Sequence, residues 1–142
     1  MFSGVMRARD LMRTEVVTIR EDSGVELLCD LFQVAHVHGV PVLNARDELV
    51  GIVSEEDVNF GTMGRPGADG SPRDATNGGV RVRDIMTSPA VCATEEMDVV
   101  ELCRMMWGMR IHHIPIVLDG RVTGIVSSLD LARAVAEGSI RP

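Results

Sequence analysis

The chain has 142 residues, of which 45% are apolar and 25% charged, and its 14 basic and 21 acidic residues give a net charge of −7. This length corresponds to one compact domain or to two half-size units that share a core, and it argues against a large multidomain enzyme. The acidic balance argues against nucleic acid and anionic membranes as partners, and no apolar run reaches the ~20 residues that span a bilayer.

Along the chain, one order of predicted elements occurs twice. Apolar stretches separated by turn residues predict strands, and longer patterns predict helices. The elements of the first half are a strand at Val16–Ile19, a helix at Gly24–His36, strands at Val40–Leu43 and Leu49–Val53, and a helix that begins near Ser54. Those of the second half are a strand at Ala90–Ala93, a helix at Met97–Met109, strands at Ile114–Leu118 and Val122–Val126, and a helix that begins near Ser127.

The two halves also match residue by residue. Arg7–Met12 aligns with Arg81–Met86, and Gly51–Ser54 matches Gly124–Ser127 without a mismatch. Matches that keep their order along the whole chain indicate an internal repeat, and a repeat fixes the architecture. We therefore expect an α/β fold made of two β-α-β-β-α repeats.

The repeat also predicts the domain organisation. The first repeat covers residues 5–60 and the second covers residues 80–138. Between them, residues 61–79 are rich in glycine and proline and predict a flexible linker or a protruding loop.

The two long helices are apolar over more of their surface than one sheet would cover. In Met97–Met109 the polar residues form one narrow stripe, and Gly24–His36 has the same pattern. One explanation is that each helix contacts its own sheet on one side and a second subunit on the other, which predicts a homodimer. The alternative is that Met105, Met106 and Trp107 fill a core within the chain.

Three motifs recur in the same order in both repeats. They are Asp-x-Met near the start, an apolar-His-x-apolar-Pro strand entry, and a closing Gly-apolar-apolar-Ser-x-x-Asp. Together they resemble the cystathionine-β-synthase (CBS) domain family over the whole chain except the linker. The resemblance implies a tandem CBS pair, in which the repeats are related by a pseudo-twofold axis and form one module. It also implies adenosine-containing ligands in the two clefts between the repeats, and dimerisation through the helices.

The closing motif contains the clearest candidate ligand-binding residues. A carboxylate accepts hydrogen bonds from both vicinal hydroxyls of a ribose, and the resemblance implies this role for Asp57 and Asp130. Ser54 and Ser127 lie at the start of a helix, where a hydroxyl and free backbone N–H groups face a phosphate or a sugar. The alternative is that the serines are only N-caps and the aspartates only exposed first-turn acids, each worth about 1 kcal/mol.

The resemblance implies two further sets of ligand contacts. The segments after Asp-x-Met line the adenine end of the cleft in the family, which implies contacts at Thr14, Val16, Thr87, Ser88 and Ala90. Family members often carry basic residues near phosphates at the positions of His38, His112 and His113, and a protonated histidine would bind phosphate. The alternative is that each histidine is half-buried and bonded to a neighbouring carbonyl.

The two closing motifs differ in charge. Glu55 and Glu56 flank the first, whereas Ser128 and Leu129 flank the second. Because added negative charge repels a polyphosphate, we expect the motif that begins at Ser127 to bind an anionic nucleotide.

Several residue types and motifs that enzymes need are missing. All 14 basic residues are arginine, and the sequence has neither lysine nor tyrosine, which removes Schiff-base chemistry and the phosphate-loop lysine. It contains no nucleophile elbow and no His-Glu-x-x-His motif, and Met1–Arg7 shows no secretory pattern. We therefore expect a cytoplasmic protein that is not an enzyme and requires no cofactor.

The expected function is a regulatory ligand-sensing module that binds an adenine nucleotide or another adenosyl compound and acts in trans on a separate effector protein. The candidate ligands are AMP, ADP, ATP, S-adenosylmethionine and NAD. One alternative is a protein-interaction scaffold with unoccupied pockets. Another is a metal-binding protein, in which zinc would be held by His36, His38, His112 and His113, or by some of them with the help of Cys29 or Cys103. The favoured interpretation includes no metal site.

Overall fold

A computed structural model describes residues 6–63 and 79–139. In this part of the chain the elements are, in order, α1 (Ala8–Leu11), β1 (Ile19–Arg20), α2 (Val25–Ala35), β2 (Gly39–Leu43), β3 (Leu49–Ser54), α3 (Glu55–Met63), α4 (Val82–Ile85), β4 (Ala93–Thr94), α5 (Val99–Met109), β5 (His113–Leu118), β6 (Arg121–Ser127) and α6 (Ser128–Ala136). Most of the predicted linker, residues 64–78, lies outside the described residues. The residues that the structure describes contain no candidate membrane-spanning helix.

The chain divides into two compact units, each of which combines parts of both sequence repeats. Unit 1 consists of Met1–Val16 with Val91–Pro142, and unit 2 consists of Val17–Ala90. Helix α1 therefore belongs to the unit that contains the second repeat's sheet, and α4 belongs to the unit that contains the first repeat's sheet. The sequence repeat and the packed unit are thus different divisions of the same chain.

Each unit contains one three-stranded sheet. The strand order is β1-β2-β3 in unit 2 and β4-β5-β6 in unit 1. The first strand pairs parallel with the second, and the second pairs antiparallel with the third. A parallel pair requires a crossover connection, which α2 and α5 provide. The predicted β-α-β-β-α order and the α/β class are confirmed in both units.

The predicted long helices and hairpin strands closely match the observed ones, but both first strands lie further along the chain. We expected them at Val16–Ile19 and Ala90–Ala93, whereas β1 begins at Ile19 and β4 begins at Ala93. Only two residues of each strand pair with the neighbouring strand, and most of the apolar residues before them are half-buried without joining the ladder. The sequence also does not predict α1 and α4, because four residues span barely one helical turn and show no periodicity.

Each unit has its own hydrophobic core. In unit 2 the core joins α2 and the sheet to Val80 and Val82 at the start of α4, and in unit 1 it joins α5 and the sheet to Ala8 of α1. Leu28 and Leu102, which are equivalent in the repeat, are both 0% exposed. Full burial of a leucine side chain contributes about 1.5–3 kcal/mol. The two short helices are therefore fixed by apolar packing on the sheets of their units.

The outer faces of the long helices carry exposed apolar side chains. On α5, Met106 is buried and Met105 is half-buried, but Trp107 is 78% exposed. The alternative in which all three residues fill a core within the chain is therefore wrong for Trp107, because the helix buries only the side that faces its sheet.

In each unit the methionine of the Asp-x-Met motif packs on the glycine of the closing motif. A β-carbon on Gly124 would lie 2.5 Å from Met12 Sδ in unit 1. In unit 2, a β-carbon on Gly51 would lie 2.7 Å from Met86 Sδ and 2.9 Å from the Thr87 carbonyl oxygen. Only a residue without a side chain fits at these positions. The contact gives a physical reason for the joint occurrence of the two motifs.

The backbone after each methionine is bonded to the last strand of the sheet. Arg13 N donates to Ile125 O at 2.9 Å, and Ile125 N donates to Arg13 O at 3.1 Å. The equivalent bonds between Thr87 and Ile52 measure 2.9 and 3.0 Å. These bridges place the segment after each Asp-x-Met motif beside the strand that leads into the Ser-x-x-Asp motif of the same unit.

Candidate functional site

The closing motif of the second repeat forms a capping box at the start of α6. Ser127 Oγ accepts a hydrogen bond from Asp130 N at 3.2 Å, and Asp130 Oδ2 accepts one from Ser127 N at 2.9 Å. These reciprocal bonds satisfy N–H groups that a helix start otherwise leaves unpaired. The strand therefore passes directly into a helix whose first side chains are held by the backbone.

Ser54 and Asp57 make equivalent bonds at the start of α3. Asp57 Oδ2 accepts from Ser54 N at 2.8 Å and from Ser54 Oγ at 3.1 Å, while Asp57 N donates to Ser54 Oγ at 3.3 Å. Helix capping is thus present at both sites. It does not exclude a ligand role, because a carboxylate has about four acceptor positions. The ligand contacts of these four residues remain a prediction.

Asp130 has a second interaction within unit 1. Arg13 Nε donates to Asp130 Oδ1 at 3.1 Å, and the Asp130 side chain is 2% exposed while that of Arg13 is 58% exposed. The sequence suggested an exposed first-turn acid at this position. This expectation is wrong, because the carboxylate is buried and ion-paired, and only its cationic partner faces solvent. In the part of the chain that the structure describes, Asp57 has no such ion pair.

The charges around the two helix starts differ. The residue equivalent to Arg13 in unit 2 is Thr87, which is neutral. In the first turn of α3, Asp57 is accompanied by Glu55 and Glu56, whereas Asp130 is the single acid in the first turn of α6. The charge difference inferred from the sequence is therefore enlarged by Arg13.

The residues predicted to line the adenine end lie on the segments after α1 and α4. They are Thr14 and Val16 in unit 1, and Thr87, Ser88 and Ala90 in unit 2. Ser88 Oγ donates to the Val50 carbonyl oxygen at 2.7 Å, while Thr14 is exposed and Val16 and Ala90 are half-buried. Each segment lies beside the strand that leads into the Ser-x-x-Asp motif of its unit, and its ligand contacts remain a prediction.

The candidate histidines lie close to the first residues of α3 and α6. His38 Nδ1 is 3.2 Å from Glu55 Oε1, and His112 Nδ1 is 3.4 Å from Ser128 Oγ. Both histidines are exposed, and His113 is half-buried. The alternative of a half-buried ring bonded to a carbonyl is therefore wrong for His38 and His112, whose neighbours are side chains at the helix starts.

The zinc alternative requires several metal ligands close together. Between residues 6 and 63 and between 79 and 139, no three His, Cys, Asp or Glu residues lie close enough to hold a metal ion together. Partial burial raises the pKa of the Cys29 thiol, with a further rise from Asp30, and partial burial and Asp98 likewise raise the pKa of Cys103. Because the thiolate is the metal ligand and the nucleophile, a raised pKa makes both cysteines poor candidates for either role.

The resemblance placed Arg13 in the segment that lines the adenine end, but the sequence did not identify its side chain as part of the site. The available signal is its alignment with Thr87, in which a charged residue replaces a neutral one. This signal does not identify Asp130 as the partner, because 117 residues separate Arg13 from Asp130.

The motifs at this site are those of a known family. The CBS domain model matches residues 8–60 and 82–137. A curated relative, inosine-5′-monophosphate dehydrogenase of Methanocaldococcus jannaschii, is 28% identical over 130 residues, which cover 91% of this chain and 23% of that protein. The chain thus spans about a quarter of the length of this relative.

Similar solved structures include the CBS domain pair of protein MJ0100 in complex with 5′-methylthioadenosine and S-adenosyl-L-methionine. Its TM-score is 0.79 at 21% identity, and the match covers 94% of this chain and 98% of that one. CBSX2 in complex with AMP has a TM-score of 0.77 at 21% identity, with coverage of 94% and 99%. These likenesses establish the fold. Because the family model matches most of the sequence in two consecutive segments, the chain belongs to the CBS domain family and contains a tandem pair of its domains.

Proposed function

We propose that the chain is a regulatory module that binds adenosine-containing ligands at the starts of α6 and α3. The observation that carries the proposal is the construction of each unit, which joins the segment after Asp-x-Met to the strand that leads into Ser-x-x-Asp. The adenosyl ligands in the MJ0100 and CBSX2 structures support the class of ligand.

The chemistry of the helix starts suits a ribose. A ribose presents two adjacent hydroxyl donors, and an ionised carboxylate accepts hydrogen bonds at both oxygens. Oδ1 of Asp57 has no hydrogen-bond partner among residues 6–63 and 79–139, and Oδ1 of Asp130 is bonded to Arg13. A phosphate is best placed near the start of α6, where the helix dipole and the Arg13 guanidinium supply positive charge.

The test is a melting-temperature screen of the purified chain. AMP, ADP, ATP, S-adenosylmethionine and NAD are the ligands, and ribose 5-phosphate and inorganic phosphate are the controls. A ligand at 100 times its Kd stabilises the folded state by about 2.7 kcal/mol, which raises Tm by several degrees for a domain of this size. If no adenosyl compound raises Tm at millimolar concentration, the scaffold alternative with unoccupied pockets is favoured instead.

The regulated activity is proposed to reside on a separate effector protein. The proposal is supported if a protein partner is retained by the immobilised chain in the presence of the ligand and released in its absence, or the reverse.

We also propose that the chain forms a homodimer through α2 and α5. The exposed apolar side chains on these helices are Leu27 and Val34 of α2, and Val100, Trp107 and Met109 of α5. Exposed charges lie between these apolar side chains: Glu26 and Asp30 on α2, and Arg104, which pairs with Glu101, on α5. A second copy of the chain that packs on these helices would cover their apolar side chains, and association would remove apolar patches of a kind that monomers rarely expose.

Substitution Trp107→Glu is expected to convert the dimer into a monomer, because it places a charge in the apolar face of α5. The measurement is light scattering at a protein concentration on the order of 10 µM, at which even weak dimers are populated. Arg46→Glu, in the exposed β2–β3 turn, is the matched control and should leave the mass unchanged. A wild-type chain that is monomeric under these conditions contradicts the dimer.

A further inference from the structure

The ion pair between Arg13 and Asp130 blocks access to the carboxylate that would bind ribose in unit 1. The side chain of Asp130 is 2% exposed, and its Oδ1 accepts from Arg13 Nε. Its Oδ2 accepts from Ser127 N within the capping box. A ribose therefore reaches this carboxylate only when the guanidinium moves aside.

The partner that moves is Arg13. A buried carboxylate left without a partner is costly, whereas a guanidinium on a long side chain that is 58% exposed is readily hydrated by water. In the described residues the terminal nitrogens of Arg13 have no hydrogen-bond partner. Arg13 thus keeps unused donors, in a planar arrangement that matches the oxygens of a phosphate.

We infer that Arg13 is the specificity-determining residue of the unit 1 site and that it selects ligands carrying a phosphate. When the ribose hydroxyls replace Arg13 on Asp130, the guanidinium binds the phosphate of the same ligand. A nucleotide gives both members of the ion pair a new partner. A nucleoside gives a new partner to Asp130 alone and leaves the Arg13 guanidinium bonded only to water.

Unit 2 is expected to have the opposite preference. Thr87 stands where Arg13 stands in unit 1, and it carries no charge. Asp57 is not covered by an arginine of the described residues, and Glu55 and Glu56 share its helical turn. These carboxylates repel a phosphate, so the unit 2 site is expected to favour adenosyl compounds without one. The inference rests on the proposed function, because it requires that both sites bind ribose.

The experiment replaces Arg13 by threonine and Thr87 by arginine in separate variants. For each variant, calorimetry gives the ratio of the adenosine Kd to the AMP Kd. Unit 1 is measured alone in a chain that carries Asp57→Ala, and unit 2 is measured alone in a chain that carries Asp130→Ala. We expect unit 1 to bind AMP about tenfold more tightly than adenosine, the factor that 1.4 kcal/mol provides. In unit 1, Arg13→Thr should abolish this preference, so that the two Kd values become about equal. In unit 2, Thr87→Arg should raise the preference for AMP about tenfold.

Two control variants separate specificity from structure. Arg9→Thr removes a different exposed arginine of unit 1, which pairs with Glu96, and it should leave the ratio unchanged. Arg13→Lys keeps the charge and should preserve part of the AMP preference. Because the ratio compares two ligands on one variant, a change in stability that weakens both affinities equally does not alter it.

The outcomes are distinct. If neither AMP nor adenosine binds the wild-type chain, the inference about Arg13 is overturned, and the proposed function fails as well only if the other adenosyl compounds of the melting-temperature screen also do not bind. If both bind and Arg13→Thr leaves the ratio unchanged, the proposed function stands and the inference about Arg13 is overturned. A ratio that falls with Arg13→Thr and rises with Thr87→Arg supports it.

Discussion

Asp130→Ala is expected to lower the affinity for AMP at least about tenfold and to destabilise the fold by about 1–2 kcal/mol. A hydrogen bond to a charged group contributes roughly 1.5–3 kcal/mol, and 1.4 kcal/mol corresponds to a factor of ten. Two hydrogen bonds to ribose are lost, so the affinity falls by more than this factor even after the cost of displacing Arg13 is subtracted. The affinity is measured by calorimetry, and the free energy of unfolding by denaturant titration.

The stability loss follows from the structure and not from the sequence. Asp130 is buried and completes the capping box with Ser127, and loss of a capping side chain costs about 0.5–2 kcal/mol. Arg13 loses its partner but stays hydrated, because 58% of its side chain is exposed. Asp130→Asn keeps the shape and one acceptor oxygen, so it should retain more of the stability while losing the ion pair.

A ligand without ribose hydroxyls provides the control for the affinity. The 2′,3′-dideoxy analogue of AMP should bind the wild type weakly and be almost indifferent to Asp130→Ala. If it binds the wild type as tightly as AMP does, Asp130 does not bind the ribose and serves only the helix and the ion pair. Asp57→Ala should reduce the affinity for AMP less, because Glu55 and Glu56 already weaken anion binding at that helix start.

The repeat makes most of the fold predictable. It gives the order of strands and long helices, since hydrophobic patterns of five or more residues define them locally. It also gives the Ser-x-x-Asp capping boxes, whose bonds join residues three apart. The two-residue strands and the four-residue helices are too short for any pattern, so their positions depend on tertiary contacts.

The composition of each site is less predictable than its motifs. A segment of the first repeat packs with the second repeat's sheet, as the bond between Arg13 N and Ile125 O shows. Such pairing is decided by the path of the backbone after α1, about which the repeat alignment says nothing. For this reason the sequence placed Asp130 at a helix start but did not predict its burial or its pairing with Arg13.

Gly124→Ala is expected to destabilise the fold by about 1–3 kcal/mol, the usual cost of forcing extra atoms into a packed interior. The added β-carbon would lie 2.5 Å from Sδ, 2.8 Å from Cγ and 2.9 Å from Cβ of Met12. A rotation of the Met12 side chain relieves the first two overlaps but not the third, because the Met12 β-carbon is fixed by the backbone. Since the Arg13 backbone bonds to Ile125 follow directly, AMP binding should weaken as well.

A matched control and a double-mutant cycle test this explanation. Gly108 lies on the exposed side of α5, and a β-carbon added there would meet nothing within 4 Å, so Gly108→Ala should stabilise the fold by up to about 1 kcal/mol. Met12→Ala removes Sδ and Cγ, so the loss in the double variant Met12→Ala/Gly124→Ala should fall short of the sum of the single losses by at least about 0.5 kcal/mol. Strictly additive losses would mean that Met12 and Gly124 do not constrain each other. The Asp-x-Met and closing motifs would then need another reason to occur together, because their contact is the physical link between them in each unit.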